Sequence, residues 1–491
     1  MKKALFISVL LAICIIFTAC SPDSSSNTNE NNDGGQAQPG VIVQEETESV
    51  TVSHFETLGG RDFGGAAFTI LDAPHHLHLQ VNMPDEEGLT GEPINDALFN
   101  RDRLIEEKYN VNIEYIQIHG TGTGNSTLQR SVLAGERLYD LIVSPVLGNS
   151  LDSNSVNNIL YNILDAPHLS LQSPWWSKLI YENMQFNGRL YYSGGDIFLP
   201  SYSKCPATIV FNRKLMQDYG IEDDLYELVF DGKWTVDVLE RLTKDMNIDL
   251  NQDGRMHADD DFFGLISQNN TVTMGFYLAG LDVKFSAVSG DNIVVELTSQ
   301  ANISKIGRLT DMLERVNYRE QNDIILDTFK NSRALFLVHC LQTPQVSLRD
   351  MEDDYGILPM PKWDEQQETY VSYINAWGSG FVGIPANADI EKSAFLTEAM
   401  AYAGHEMLRQ PVYDITLKAK GARDEESERI IDIIIETGYL DLNGVYDFGG
   451  TLDILLNAII DKRPFVSAYE EREPRIQADI ERFIEAMSRD H

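Results

Sequence analysis

Apolar residues run almost unbroken from Ala4 to Phe17, behind the basic pair Lys2 and Lys3, and no second run of that kind follows. The run has the length of an export signal and is too short to span a bilayer comfortably. From residue 21 to about residue 50 the chain is rich in Ser, Asn, Asp, Gly and Pro. Such a stretch buries too little apolar surface to offset the entropy of ordering it, so a tether is expected. Periodic segments then begin. Ala67–Leu71 reads as a strand, Asn95 as the N-cap of a helix reaching about Lys108, and Val111–Ile118 as a half-buried strand. A helix over about Ser126–Leu138 and a short strand over Asp140–Ser144 complete an alternation that predicts an α/β layer with a largely parallel sheet. After Trp234 the pattern is mainly helical, with strands near Ile293–Leu297 and Ala334–Cys340 and late helices at Ile390–Leu408 and Ser427–Thr437. The string LDAPH occurs at Leu71 and at Leu164, but Asp-Ala-Pro is turn chemistry and implies no repeat.

Length and charge narrow the reading. Roughly 440 residues beyond the leader and tether suffice for two ordinary domains. The net charge of −37 argues against nucleic-acid binding, against adhesion to anionic lipid and against a strongly anionic ligand. Phe17-Thr-Ala-Cys20 resembles the lipobox of bacterial lipoproteins, which implies lipidation of Cys20 and a protein held on the outer face of the cytoplasmic membrane. An ordinary cleaved signal with an incidental cysteine is the plainer alternative. Cys14 leaves with the signal, so Cys205 and Cys340 remain, as a disulfide or as two buried thiols.

One contiguous loop carries ion-binding chemistry. Asp249, Asn251 and Asp253 stand at positions one, three and five of an EF-hand-like pattern, Gly254 at six and Asp260 at twelve. The backbone carbonyl of Arg255 adds a further oxygen, and Ca²⁺ takes six to eight such hard ligands. The loop is expected to act as a structural calcium staple; the bland alternative is an acidic surface turn. Other matches carry less. Gly378-Ser-Gly380-Phe-Val-Gly383 fits a dinucleotide-loop expression, but Ile384-Pro385 follows where a helix should start. His75, His76 and His78 lack a fourth ligand, and Arg409 stands where a second zinc-ligating His would follow His405-Glu406.

Several strings in order bring the chain close to one family: GEPINDALFNRDRLIEEKYNVNIE, YDLIVSP, GRLYYSGGDIF, ATIVFNRKLMQDYGI, DGKWTVDVLERL, NSRALFLVHC, DDYGILPMPK, AWGSGFVGIPANA and KGARDEESERIIDII. From about Phe68 onward the chain resembles the extracellular solute-binding proteins of bacterial ABC importers, in the maltose-binding-like group. Periodicity alone gives a two-domain α/β chain; the resemblance implies the two-lobe, type II periplasmic-binding-protein-like fold. After the leader at residues 1–19 and the tether at 20–54, it implies a first lobe at 55–207 with 378–404 and a second lobe at 211–370 with 405–491. Thr208–Val210 and Ser372–Trp377 would cross between the lobes. The cleft implied between them would draw on Trp377, Tyr373, Tyr202 and Trp175 for stacking against sugar rings, and on Asp140, Asp196 and Arg423 for polar contacts. For each aromatic residue taken singly, ordinary packing is the competing reading. The implied function is a non-catalytic, monomeric receptor that delivers a small polar solute, most naturally an oligosaccharide, to an ABC permease. An exported glycoside hydrolase and a surface sensor or adhesin are the rival readings.

Overall fold

The computed structural model describes residues 53–75, 81–148, 150–203, 205–418 and 424–489. The first sheet is built from β1 (Ala66–Asp72), β2 (Val111–Gln117) and β3 (Leu141–Ser144). The chain then passes into β4 (Ala207–Asn212), which opens a second sheet, followed by β5 (Phe263–Gln268) and a peripheral hairpin of β6 (Ser286–Ser289) and β7 (Asn292–Val295). Strands β8 (Asn317–Glu320), β9 (Ala334–Cys340) and β10 (Tyr355–Leu358) complete the second sheet. The short β11 (Ser372–Tyr373) leads the chain back to β12 (Phe381–Gly383), and β13 (Gly438–Tyr439) pairs with β11.

The strand order is β12-β3-β1-β2 in the first sheet and β10-β4-β9-β5-β8 in the second. In the first, β1 runs parallel to β2 and β3, with Ala66 opposite Val111 and Ile70 opposite Leu141, and β12 is antiparallel. In the second, β5 is parallel to β8 and β9, and β4 is antiparallel to β9 and β10. This sheet is buried on both faces. Ile209, Leu265 and Phe336 point into the main core, whereas Val210, Ile266 and Leu337 point into a smaller one with Phe329 and Leu348. Two-sided burial explains why these strands read as continuous apolar runs without alternation. Thr208–Val210, expected to cross between the lobes, lies inside β4, an interior strand of the second sheet.

The helix Pro93–Tyr109 shows how the first lobe is braced. Pro93 begins it, where a missing N–H costs nothing. Asn95 is therefore inside the first turn and Glu92 is the N-cap, its carboxylate accepting the Asn95 N–H. Ile94, Ala97, Leu98, Arg101, Ile105 and Tyr109 make one buried stripe at helical spacing. Arg101 is fully buried, yet its guanidinium donates to Asp102, to the Tyr115 hydroxyl and to the Ile197 carbonyl. Asn110, at φ +49°, ends the helix in the left-handed conformation. The helix Ile390–Arg409 packs against it and against the turn Asp196–Phe198. The final helix, Phe465–Ser488, reaches the first lobe as well as the second: Phe483 meets the Phe186 ring and Ser488 bonds Asn187.

Asp72, the last residue of β1, is wholly buried and accepts hydrogen bonds from Asn82 Nδ2 at 2.8 Å and Gln117 Nε2 at 2.7 Å. Burial outweighs those bonds and raises its pKa from 3.8 to about 6. A raised carboxyl contributes stability that is fully present below its unfolded pKa and is lost as pH climbs through the folded one. Denaturant unfolding from pH 4 to 7 is therefore expected to show wild type losing stability relative to Asp72→Asn, with the change complete just above pH 6. A pH-independent difference would contradict this.

Candidate ligand cleft between the lobes

A cavity of about 430 Å³ opens where the carboxyl ends of β1 and β5 face each other across the returning segment Asn375–Gly378. Strand ends of this kind are where open α/β sheets bind ligands, because the loops beyond them are free to diverge. His75 comes from the end of β1, Gln268 ends β5, and Asn270 caps the next helix by accepting the Thr273 N–H at 2.9 Å. Asn322 begins another helix, and His339 and Cys340 end β9.

These side chains form a neutral polar wall. Asn270 Nδ2 donates to Gln268 Oε1 at 2.9 Å, and Gln268 Nε2 donates to Asn322 Oδ1 at 2.6 Å. Asn322 Oδ1 also receives His339 Nε2 at 2.8 Å. Because that oxygen only accepts, His339 carries its proton on Nε2, and Nδ1 accepts the Thr343 hydroxyl at 2.5 Å. Burial lowers the pKa of His75, which favours its neutral ring. Gln342 is 5% exposed and lines the cavity, and its shielded Oε1 meets no donor among the described residues. None of the described residues lining the cavity is an Asp, Glu, Lys or Arg.

The opposite wall is aromatic. Trp377 is half-buried, its backbone N–H donates to Asn375 Oδ1 at 3.0 Å, and its ring lies 5.1 Å from that of His75. Gly148 supports this ring, since a Cβ there would come within 2.4 Å of it and the residue sits at φ +91°. Gly148 thus serves Trp377 in two ways, by leaving space and by tolerating a left-handed backbone.

Other residues expected in the cleft lie elsewhere. Tyr373 is 1% exposed, packs among Phe276, Phe285 and Tyr439, and donates its hydroxyl to the Gly444 carbonyl at 2.7 Å. Trp175 and Trp176 are buried, and both indole N–H groups bond Glu398, at 3.0 and 2.8 Å. Tyr202 bonds Ser177 and packs its ring edge-on to Phe381. Asp140 is paired with Lys392 and accepts the Thr69 N–H. Asp196 is paired with His405 at 2.6 Å and Arg409 at 3.2 Å. Arg423, like His76, His78 and Cys20, lies outside the described residues. Beside Arg409 a second cavity, of about 420 Å³, is lined by Asp414, Asp432 and Glu436. Its carboxylates make it the poorer fit for an uncharged solute.

The acidic loop curls on itself. Asp249 accepts the N–H groups of Gln252 and Gly254 at 2.6 and 2.8 Å, Asn251 that of Asp253, and Asp253 that of Arg255. Gly254, at φ +81°, makes the turn. Asp260 is exposed, and the neighbouring Asp261 is the carboxylate that closes the loop, holding the N–H groups of Leu250 and His257. Among the described residues no three His, Cys, Asp or Glu side chains already converge as a metal site.

No protein-family model matches the chain, and no curated protein matches it in sequence. Solved structures do match in fold. The ABC substrate-binding protein Lmo0181 from Listeria monocytogenes, solved with cycloalternan, superposes with a TM-score of 0.56 at 12% identity, over 84% of this chain and 98% of that one. A cyclo/maltodextrin-binding protein complexed with maltotetraose gives 0.57 at 13% identity, over 84% and 97%. The GacH receptor of Streptomyces glaucescens gives 0.54 at 13% identity, over 85% and 99%. The chain has the two-lobe α/β fold of these substrate-binding proteins.

Proposed function

We propose that this chain is the solute receptor of an ABC importer and that it captures a neutral oligosaccharide in the cleft between its lobes. The observation that carries this reading is the cavity itself, with one wall of uncharged amides and imidazole and the other formed by Trp377. Sugar hydroxyls both donate and accept, which suits Asn and Gln, and the C–H faces of a sugar ring suit an indole. A glycoside hydrolase instead needs two carboxylates flanking the bond it cleaves, and the described cavity walls supply neither. The reading is tested by titrating the protein with maltotetraose and analysing the mixture for products. Stoichiometric binding with the sugar intact supports it, and hydrolysis overturns it.

The same reading places the protein outside the cell, with Cys20 lipidated and a tether that ends before His54. That residue begins the helix His54–Leu58 and meets Glu398, so it is not part of the tether expected at 20–54. No helix among the described residues is long and apolar enough to cross a membrane. Cys20→Ser is expected to abolish incorporation of a fatty-acid analogue, and undiminished labelling would refute the anchor.

The loop at Asp249, Asn251, Asp253, Arg255 and Asp260 fits a calcium staple in part. Its Asx oxygens each accept one backbone N–H and retain lone pairs, but Asp260 must turn inward to join them. An ion bound only by the folded form stabilises it by about 2.7 kcal/mol when a hundredfold above its dissociation constant. Melting of chelator-treated protein is expected to shift upward on adding calcium, less with magnesium, and not at all in Asp249→Ala. An unchanged wild-type melting temperature would remove the site.

A further inference from the structure

Cys205 and Cys340 are both reduced and buried, and their thiols are in hydrogen-bonding contact. They lie where the two crossings between the lobes meet. Cys205 belongs to the segment entering β4, and Cys340 is the last residue of β9 and lines the ligand cavity. The Pro206 carbonyl accepts the Leu341 N–H at 2.9 Å. From the returning crossing, Asn375 donates its backbone N–H to the Cys205 carbonyl at 2.9 Å and its Nδ2 to Cys340 Sγ at 3.6 Å. The packing is tight enough that a Cβ at Gly378 would fall 2.5 Å from Cys205 Sγ.

The hydrogen bond from Cys205, supported by that from Asn375 Nδ2, lowers the Cys340 thiol's pKa against the opposing effect of burial. A thiolate is the nucleophile of thiol–disulfide exchange, and Cys340, although 3% exposed, is one of the residues lining the cavity.

We propose that Cys340 and Cys205 are a redox-active dithiol, which small disulfides entering the cleft convert to an intramolecular disulfide that ties the first crossing to the cavity wall. In the first step Cys340 Sγ attacks one sulfur of the incoming disulfide, and its S–S bond breaks to release one thiolate. Cys205 Sγ then attacks Cys340 Sγ, its proton passes to solvent, and a second thiolate leaves. The protein is oxidised by two electrons and the small disulfide is reduced to two thiols.

The test is to incubate the folded full-length protein with oxidised glutathione, quench with acid, alkylate and map the peptides by mass spectrometry. The expected product joins the Cys205 and Cys340 peptides, is lighter by two hydrogens, reverts with dithiothreitol, and forms at least tenfold faster than in urea-unfolded protein. Cys205→Ala is expected to stop at a glutathione adduct on Cys340. Quantitative alkylation of both cysteines after incubation would overturn the proposal. So would a stable Cys340 adduct in the wild type, or equal rates in folded and unfolded protein.

Discussion

Replacing Glu398 by alanine is expected to lower the unfolding free energy by about 3–5 kcal/mol, the scale for opening a core cavity while leaving buried hydrogen-bond donors unmet. Glu398 is fully buried on the helix Ile390–Arg409. Its two oxygens take the indole N–H groups of Trp175 and Trp176, the Ser170 N–H at 3.1 Å and a contact from His54 Nε2 at 2.9 Å. Alanine leaves two indole donors without acceptors in the core and also opens a void beneath both rings. Glu398→Gln keeps the volume and one acceptor, so it is expected to cost clearly less. Urea unfolding monitored by tryptophan fluorescence checks both. A loss below about 1 kcal/mol in the alanine variant would show that the carboxylate is not the organising group.

Trp377→Ala is expected to weaken oligosaccharide binding by about 2–4 kcal/mol, the range of an aromatic hot spot at the centre of an interface. The ring lines the cavity without filling the core of either lobe, so stability should change far less than affinity. Gly148→Ala is expected to weaken binding through the same ring, because the new Cβ would displace it. Calorimetric titration with parallel thermal melts separates the two effects. Equal losses of affinity and of fold would mark Trp377 as a packing residue.

What the sequence disclosed follows from how each element is buried. Val111–Ile118 alternates because β2 is the edge strand of its sheet and one of its faces is wet. The helix Pro93–Tyr109 shows a clear stripe because only one side meets the core. Strand β4 is buried on both faces, so no alternation in Thr208–Val210 distinguishes it from a crossing segment. The site was legible only at Trp377, where a large aromatic residue falls in a segment that must return between lobes. Gln268, Asn270, Asn322 and Gln342 come from separate strand ends and helix starts, and isolated amides carry no periodic signal. A faint cue lay in the string Gln268-Asn-Asn270-Thr, an apolar strand running straight into helix-capping chemistry. Trp175 reads as a cleft residue for the opposite reason: its indole N–H, like that of Trp176, points at a carboxylate more than two hundred residues away in sequence, which no local pattern reveals.

The central claim is that the cleft holds a neutral oligosaccharide and releases it unchanged. Isothermal titration of the protein with maltotetraose, followed by mass analysis of the recovered sugar, tests it most directly. The account predicts one saturable site per chain, weakened at least tenfold in Trp377→Ala, and intact maltotetraose. Shortened sugar, or affinity unaltered by the Trp377 substitution, would contradict it.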